Sequence, residues 1–141
     1  MRFMLLVKAD KNSEAGALPD EKILTEMGTF NQEMIDAGVL LSAEGLHPSS
    51  KGARVRFSGG KTIVTDGPFP ETKELIAGFW LIQVKSKEEA INWVKRCPNP
   101  MPGSEGVIEI RQVFELEDFP NVPPEVKEME EKMRNTAGTK R

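Results

Sequence analysis

The chain of 141 residues holds one histidine, one cysteine and no tyrosine, so few of its side chains can move a proton near neutral pH. His47, in G-L-H-P, is one of them. An imidazole exchanges its proton near neutrality, and Pro48 keeps the His47 backbone extended. Asp66 is the second, in T-D-G-P-F-P-E-T-K-E at 65–74. Gly67 and two prolines make that turn stiff. A carboxylate held on a stiff turn can orient an imidazole or act as a base. In a His47–Asp66 pair, Asp66 would fix the tautomer and His47 would carry the proton. The pair requires the loop at 47–52 to fold back over the turn at 65–70. Plainer readings stand beside it. An aspartate heading a turn accepts backbone N–H bonds, and His47 can be a loop histidine bonded only locally.

Other candidates sit on strands and turns. Glu44 and Arg111 fall within predicted strands, and residues two apart share a face. Ser42 therefore points with Glu44, and Glu109 with Arg111. They would line a polar ligand cavity or form an interface salt-bridge network. Thr72 and Lys73 follow the turn and would hold an anionic ligand, or simply be solvated. Trp80, on a central strand, reads as core or pocket wall. Glu14, in S-E-A-G, reads as a lid residue or as part of a mobile acidic loop. Lys51, Arg54 and Arg56 make a small basic strip on a hairpin, a common protection of a sheet edge. A zinc site built from Cys and His is excluded by composition, and no carboxylate loop signature for a hard cation is present. No phosphate-binding glycine motif occurs either, so no metal and no cofactor is expected.

The elements that must position these residues are legible. R-F-M-L-L-V-K at 2–8 is a buried strand, and 12–18 is a loop. Pro19 suits the first position of a helix, with Asp20 and Glu21 at its positive end. Ile23, Met27, Phe30 and Met34 recur at helical spacing, with Leu24 and Ile35 widening the stripe. Gly38 ends that helix, and 39–46 is the second strand. A hairpin spans 53–57 and 62–65 around Ser58-Gly59-Gly60-Lys61. After the 66–74 turn, 78–84 reads as a central strand. S-K-E-E at 86–89 is a capping box opening a helix with Ala90, Ile91, Val94 and Cys97 on one side. Pro98 stops it. The last strand is 107–114, with Ile108, Ile110 and Phe114 on one face. The segment 120–141 is a polar tail in which Val126, Met129 and Met133 form a thin helical stripe.

Element order is thus βαβ, hairpin, βαβ, an α+β, ferredoxin-like plan over 1–119. Two helices cover one sheet face. The other carries Met4, Leu6 and Val113 among Glu109 and Arg111, which calls for a second copy of the chain, by default a two-fold homodimer. A net charge of −3 opposes non-specific nucleic-acid binding. No run approaches the ~20 apolar residues of a membrane span. The opening segment has at most five consecutive apolar residues, too few for a signal peptide. With a single cysteine, a reducing cytoplasm is the expected home.

D-G-P-F-P-E-T-K-E-L-I-A-G-F-W at 66–80, E-G-L-H-P-S-S-K-G-A-R-V-R-F at 44–57 and E-I-R-Q-V-F-E at 109–115 resemble, in order, the DGPF branch of the YCII-related (YciI-like) family. The resemblance implies a dimeric α/β barrel in which two ferredoxin-like sheets face each other. It implies two functional classes. Some YciI-like relatives are regarded as lyases of chlorinated aromatic compounds, whereas DGPF proteins are often associated by gene neighbourhood with extracytoplasmic-function sigma factors. YciI-like members carry a histidine in the first helix, paired with an aspartate as a proposed catalytic dyad. Here 24–34 reads L-T-E-M-G-T-F-N-Q-E-M, with no histidine. The expectation is therefore a homodimer with a small-molecule pocket. It would be either a cofactor-independent lyase or isomerase using Asp66 with His47, or a non-catalytic module that binds a ligand or a protein partner.

Overall fold

The computed structural model describes residues 1–139. Strands β1 (Arg2–Lys8), β2 (Leu40–Gly45), β5 (Ile76–Gln83) and β6 (Ile108–Gln112) form one antiparallel sheet in the order β2-β5-β1-β6. Strands β3 (Ala53–Ser58) and β4 (Lys61–Asp66) pair only with each other. The four helices are α1 (Lys11–Glu14), α2 (Glu21–Asp36), α3 (Lys87–Lys95) and α4 (Pro124–Thr139). Helix α2 joins β1 to β2, and α3 joins β5 to β6. Each joined pair is parallel and separated by a strand of the other pair, so two βαβ units interleave. This agrees with the expected α+β plan. The sheet is open: one chain closes no barrel.

Local signals explain the helix ends. Asp20, not Pro19, caps α2. Its side chain accepts the Ile23 N–H at 2.9 Å, and Pro19 lies one residue outside. The three-residue reach from a cap carboxylate to the first turn favours Asp20 over the proline position. At the other end, Gly38 takes φ +73°, with its N–H bonded to Ile35 O and the Val39 N–H to Met34 O. Two of the orphan carbonyls at the helix end are thereby met. Ser86 caps α3 by accepting the Glu89 N–H at 3.1 Å. Helix α1 occupies part of the expected 12–18 loop, capped by Asp10, which accepts the Ser13 N–H at 2.7 Å.

The core lies between the sheet and helices α2 and α3. Phe3, Leu5 and Val7 of β1 and Trp80 and Ile82 of β5 meet Phe30 and Met34 of α2 and Ala90 of α3. Phe30 stands edge-on to Trp80, with ring centroids 5.7 Å apart. Leu24 and Ile35 are exposed and do not widen the buried stripe. Their angular position turns them past the sheet, a limit that spacing alone does not show. On α3, Trp93 packs on the core beside Val94 and Cys97. Desolvation at that seam pushes the Cys97 thiol up to about 12, so it stays protonated and is a poor nucleophile. Phe114 lies beyond β6 and is exposed, its ring 5.0 Å from that of Phe119.

The register defines the opposite face. Met4 stands across from Leu81 and Arg111, and Leu6 across from Phe79 and Glu109. On the far side, Ser42 faces Leu81 and Glu44 faces Phe79. Met4, Leu6, Phe79 and Leu81 therefore make an apolar centre, bordered by Ser42 and Glu44 on one edge and by Glu109 and Arg111 on the other. Both helices that join the sheet strands, α2 and α3, pack on the other side. Among the described residues no helix is long and apolar enough to cross a membrane.

Candidate functional site

Loops gather at the end of the sheet where β1 and β2 finish and β5 begins. The Ala9 N–H bonds to Leu75 O, and the Leu46 N–H bonds to Ala77 O. Gly78 permits the close approach of β2: a Cβ there would lie 2.9 Å from Glu44 O. Three loops are fastened through one serine. The Glu14 carboxylate accepts the Ser49 N–H at 2.9 Å and also binds the Ser49 hydroxyl. Ser49 Oγ in turn accepts the Phe69 N–H at 3.0 Å. The Gly67 N–H bonds to Gly52 O at 3.0 Å. The loop at 47–52 thus folds against the 66–69 turn, which is the condition a His47–Asp66 pair needs.

The same bonds decide how the turn uses its donors. The Gly67 and Phe69 N–H groups go to Gly52 and Ser49. Asp66 closes β4, opposite Ala53, and its side chain is left toward solvent. His47 is also exposed. Among the described residues, neither the His47 ring nor the Asp66 carboxylate makes a hydrogen bond or ion pair within the chain, and none joins the two. Arg54 stacks over the Phe69 ring at 3.9 Å and reaches Glu71 at 3.4 Å, bracing the turn from the hairpin. Thr72 and Lys73 form a single 3₁₀ turn just beyond.

The remaining candidates divide between the two faces. Glu44 and Arg111 are both exposed on the open face, in neighbouring rows and on opposite edges. Arg111 lies 3.4 Å from Glu109. Trp80 points the other way, into the core, and donates its indole N–H to Asn31 Oδ1 at 2.7 Å. The structure therefore does not bring Trp80 together with Glu44 or Arg111.

Sequence reasoning passed over Ser49 and read Glu14 as a lid residue or as part of a mobile acidic loop. Glu14 sits on a helix of one turn, held by Asp10 and Ser13. The Ser13 N–H, with the hydroxyls of Ser104 and Ser13, holds the Asp10 carboxyl below its ordinary range. No spacing rule links positions 35 residues apart, so only the fold reveals the Glu14–Ser49–Phe69 connection. A second anchor lies at the opposite end of the sheet. Arg2 donates to both Glu115 oxygens, at 2.7 and 3.0 Å. That bidentate pair holds the Glu115 carboxyl below its usual range.

Residues 1–117 match the YCII-related domain. A protein of Rhizobium meliloti (strain 1021), described only as uncharacterised, is 38% identical over 92 residues, covering 65% of this chain and 73% of that one. The loops and strands assembled above fall within the matched span, and the chain belongs to the YCII-related family.

Proposed function

We propose that the protein is a homodimer that encloses a small, partly apolar ligand between two open sheet faces, as a dimeric α/β barrel. One observation carries this reading. Helices α2 and α3 cover one side of the sheet, and its other side has an apolar centre of Met4, Leu6, Phe79 and Leu81 with a polar border. A second copy related by a two-fold axis would bury that centre without closing off its polar rim. Arg111 and Lys73 would meet the charge of an anionic ligand, and Ser42 and Glu44 its hydroxyl or amine groups.

Leu81→Glu tests the reading, because it places a charge at the centre of the patch without entering the core. Light scattering after gel filtration is expected to give twice 15.7 kDa for the unaltered chain and about 15.7 kDa for the variant. An unaltered chain that runs as a monomer at micromolar concentration would sink the proposal.

Proton transfer is a second reading, favoured by the contact of the 49–52 segment with the 67–69 turn. His47 would move the proton, with Asp66 orienting it, in an elimination or isomerisation that needs no activated nucleophile. The ¹⁵N shifts of the single imidazole report its tautomer. Asp66→Asn is expected to change the tautomer ratio of His47 when ligand is bound. An unchanged ratio would leave ligand binding without chemistry.

A further inference from the structure

The cations carried by the sheet strands are Arg2, Lys8 and Arg111. All belong to the open face. Arg2 and Lys8 alternate with the inward residues of β1, as Met4 and Leu6 do, and Arg111 stands opposite Met4. Two of the three are answered within the chain. Arg2 holds both oxygens of Glu115, and Arg111 lies 3.4 Å from Glu109. Lys8 is not: among the described residues its ammonium makes no hydrogen bond and no ion pair. It also lies deeper than Arg111. Strand β1 has β5 on one side and β6 on the other, and Lys8 is half-buried in the single chain. Arg111 is on an edge strand, with its side chain 70% exposed.

The backbone is shaped around Lys8. Val7 pairs with Gly78 but Lys8 with Ile76, so β5 carries one extra residue, Ala77. Ala77 packs against the core, which returns Ile76 to the open face beside Lys8. A bulge of this kind bends a strand and re-aims side chains, and bulges concentrate next to active sites. This one stands where the loops of the candidate site gather. The Lys8 N–H bonds to Val107 O, and the Ala9 N–H to the carbonyl of Leu75, the residue after Thr72–Glu74. Leu6, Ile76 and Val107 are thus the neighbours of Lys8 on the open face. Of the sheet's carboxylates, Glu109 is engaged by Arg111. Glu44 sits two strands across and about two residues along, which puts its Cα roughly 12 Å from that of Lys8.

A cation enclosed among apolar neighbours is costly unless an anion meets it. The dimer proposed above would enclose Lys8, and no anion of its own chain reaches it. We infer that Lys8 is the anion-binding residue of the enclosed site, and that its ligand is a small monocarboxylate whose apolar body lies over Leu6 and Phe79. A single unanswered cation suits a carboxylate. A phosphate monoester, with a charge of about −1.5 to −2 at neutral pH, would remain under-neutralised. Arg111 and Lys73, at the solvent-facing rim, would draw the acid in, and Lys8 would hold it. This inference rests on the dimer reading and names the class of its ligand.

The test compares cyclohexanecarboxylate with its neutral twin, cyclohexanecarboxamide, by the ¹⁵N-resolved amide shifts of the full chain. The acid is expected to give saturable shifts at Leu6, Lys8 and Phe79. The amide should bind at least about tenfold more weakly, as loss of a charge-assisted hydrogen bond predicts. Lys8→Met keeps an apolar stem and drops the charge. It should weaken the acid to the same degree, leave the amide unchanged and keep the dimer mass by light scattering. A dimer that binds acid and amide alike, or does not bind the acid, overturns the inference whether or not the variant folds. A Lys8→Met chain that keeps its tryptophan signal but loses the dimer would assign the lysine to a carboxylate of the partner copy, and overturns it too. An unaltered chain that runs as a monomer overturns the dimer reading and this inference with it.

Discussion

Gly67→Ala is expected to cost about 3 kcal/mol of stability, at the upper end of what a forced contact in a packed site costs. A Cβ built on Gly67 would lie 1.8 Å from the Ser49 carbonyl oxygen and 2.6 Å from its carbon. The obstacle is backbone, so no side-chain rotation relieves it. The segment at 49–52 would have to retreat, and the Gly67–Gly52 and Phe69–Ser49 bonds would go with it. The melting temperature should fall on the order of 10 °C. Gly28→Ala provides the contrast. Gly28 lies inside α2 with nothing within 4 Å of its would-be Cβ. Alanine there is expected to stabilise by about 0.5–1 kcal/mol through helix propensity. Thermal melts of the two variants should move in opposite directions. A Gly67→Ala melt within about 2 °C of the unaltered chain would mean that the 47–52 loop does not rest on the turn, and the proton-transfer reading would lose its geometric support.

That contact also marks where the sequence stops being informative. Short apolar runs located β1 and β5, and helical spacing located α2 and α3, because a central strand is buried on both faces whereas a helix buries one and so repeats its apolar residues. Ser86 and Gly38 marked helix ends because cap chemistry is local. Turn chemistry made D-G-P-F stand out. What spacing could not supply was the partner of each local feature. Glu14 and Ser49 meet across 35 positions, and neither has an apolar period or a motif to announce the meeting. Trp80 was assignable to a strand but not to a face, since β5 is apolar on both sides and its register with β1 and β2 decides which way the indole points. Leu24 and Ile35 belong to the α2 pattern yet stay in solvent, because a helix on a four-stranded sheet buries a narrower stripe than its hydrophobic count suggests. The 124–139 helix was visible as a thin stripe, but a stripe does not say what lies on it.

Phe30→Ala should produce the largest loss, about 3–5 kcal/mol. Phe30 is 3% exposed and stands edge-on to both tryptophans, 5.7 Å from Trp80 and 6.5 Å from Trp93. The ring thus couples α2 to the central strand and to α3. Truncation removes its buried area and leaves a cavity bounded by two large rings that cannot collapse into it. For a domain whose whole stability is on the order of 5–15 kcal/mol, that loss leaves a substantial unfolded fraction in mild urea. Tryptophan fluorescence reads the event directly, since both indoles of the chain border the lost ring. The urea midpoint should drop while the slope stays constant. Phe30→Leu, which keeps most of the volume, should lose less than half as much. A loss under about 1.5 kcal/mol for the alanine variant would show that α2 is not locked to the sheet through this ring. The variant also separates the two sides of the sheet. Phe30 lies opposite the open face, so chains that remain folded should keep the oligomeric mass of the unaltered protein, whereas Leu81→Glu should change that mass and leave the tryptophan signal in place. Opposite outcomes from the two faces of one sheet are what a protomer with its own core on one side and a binding surface on the other must give.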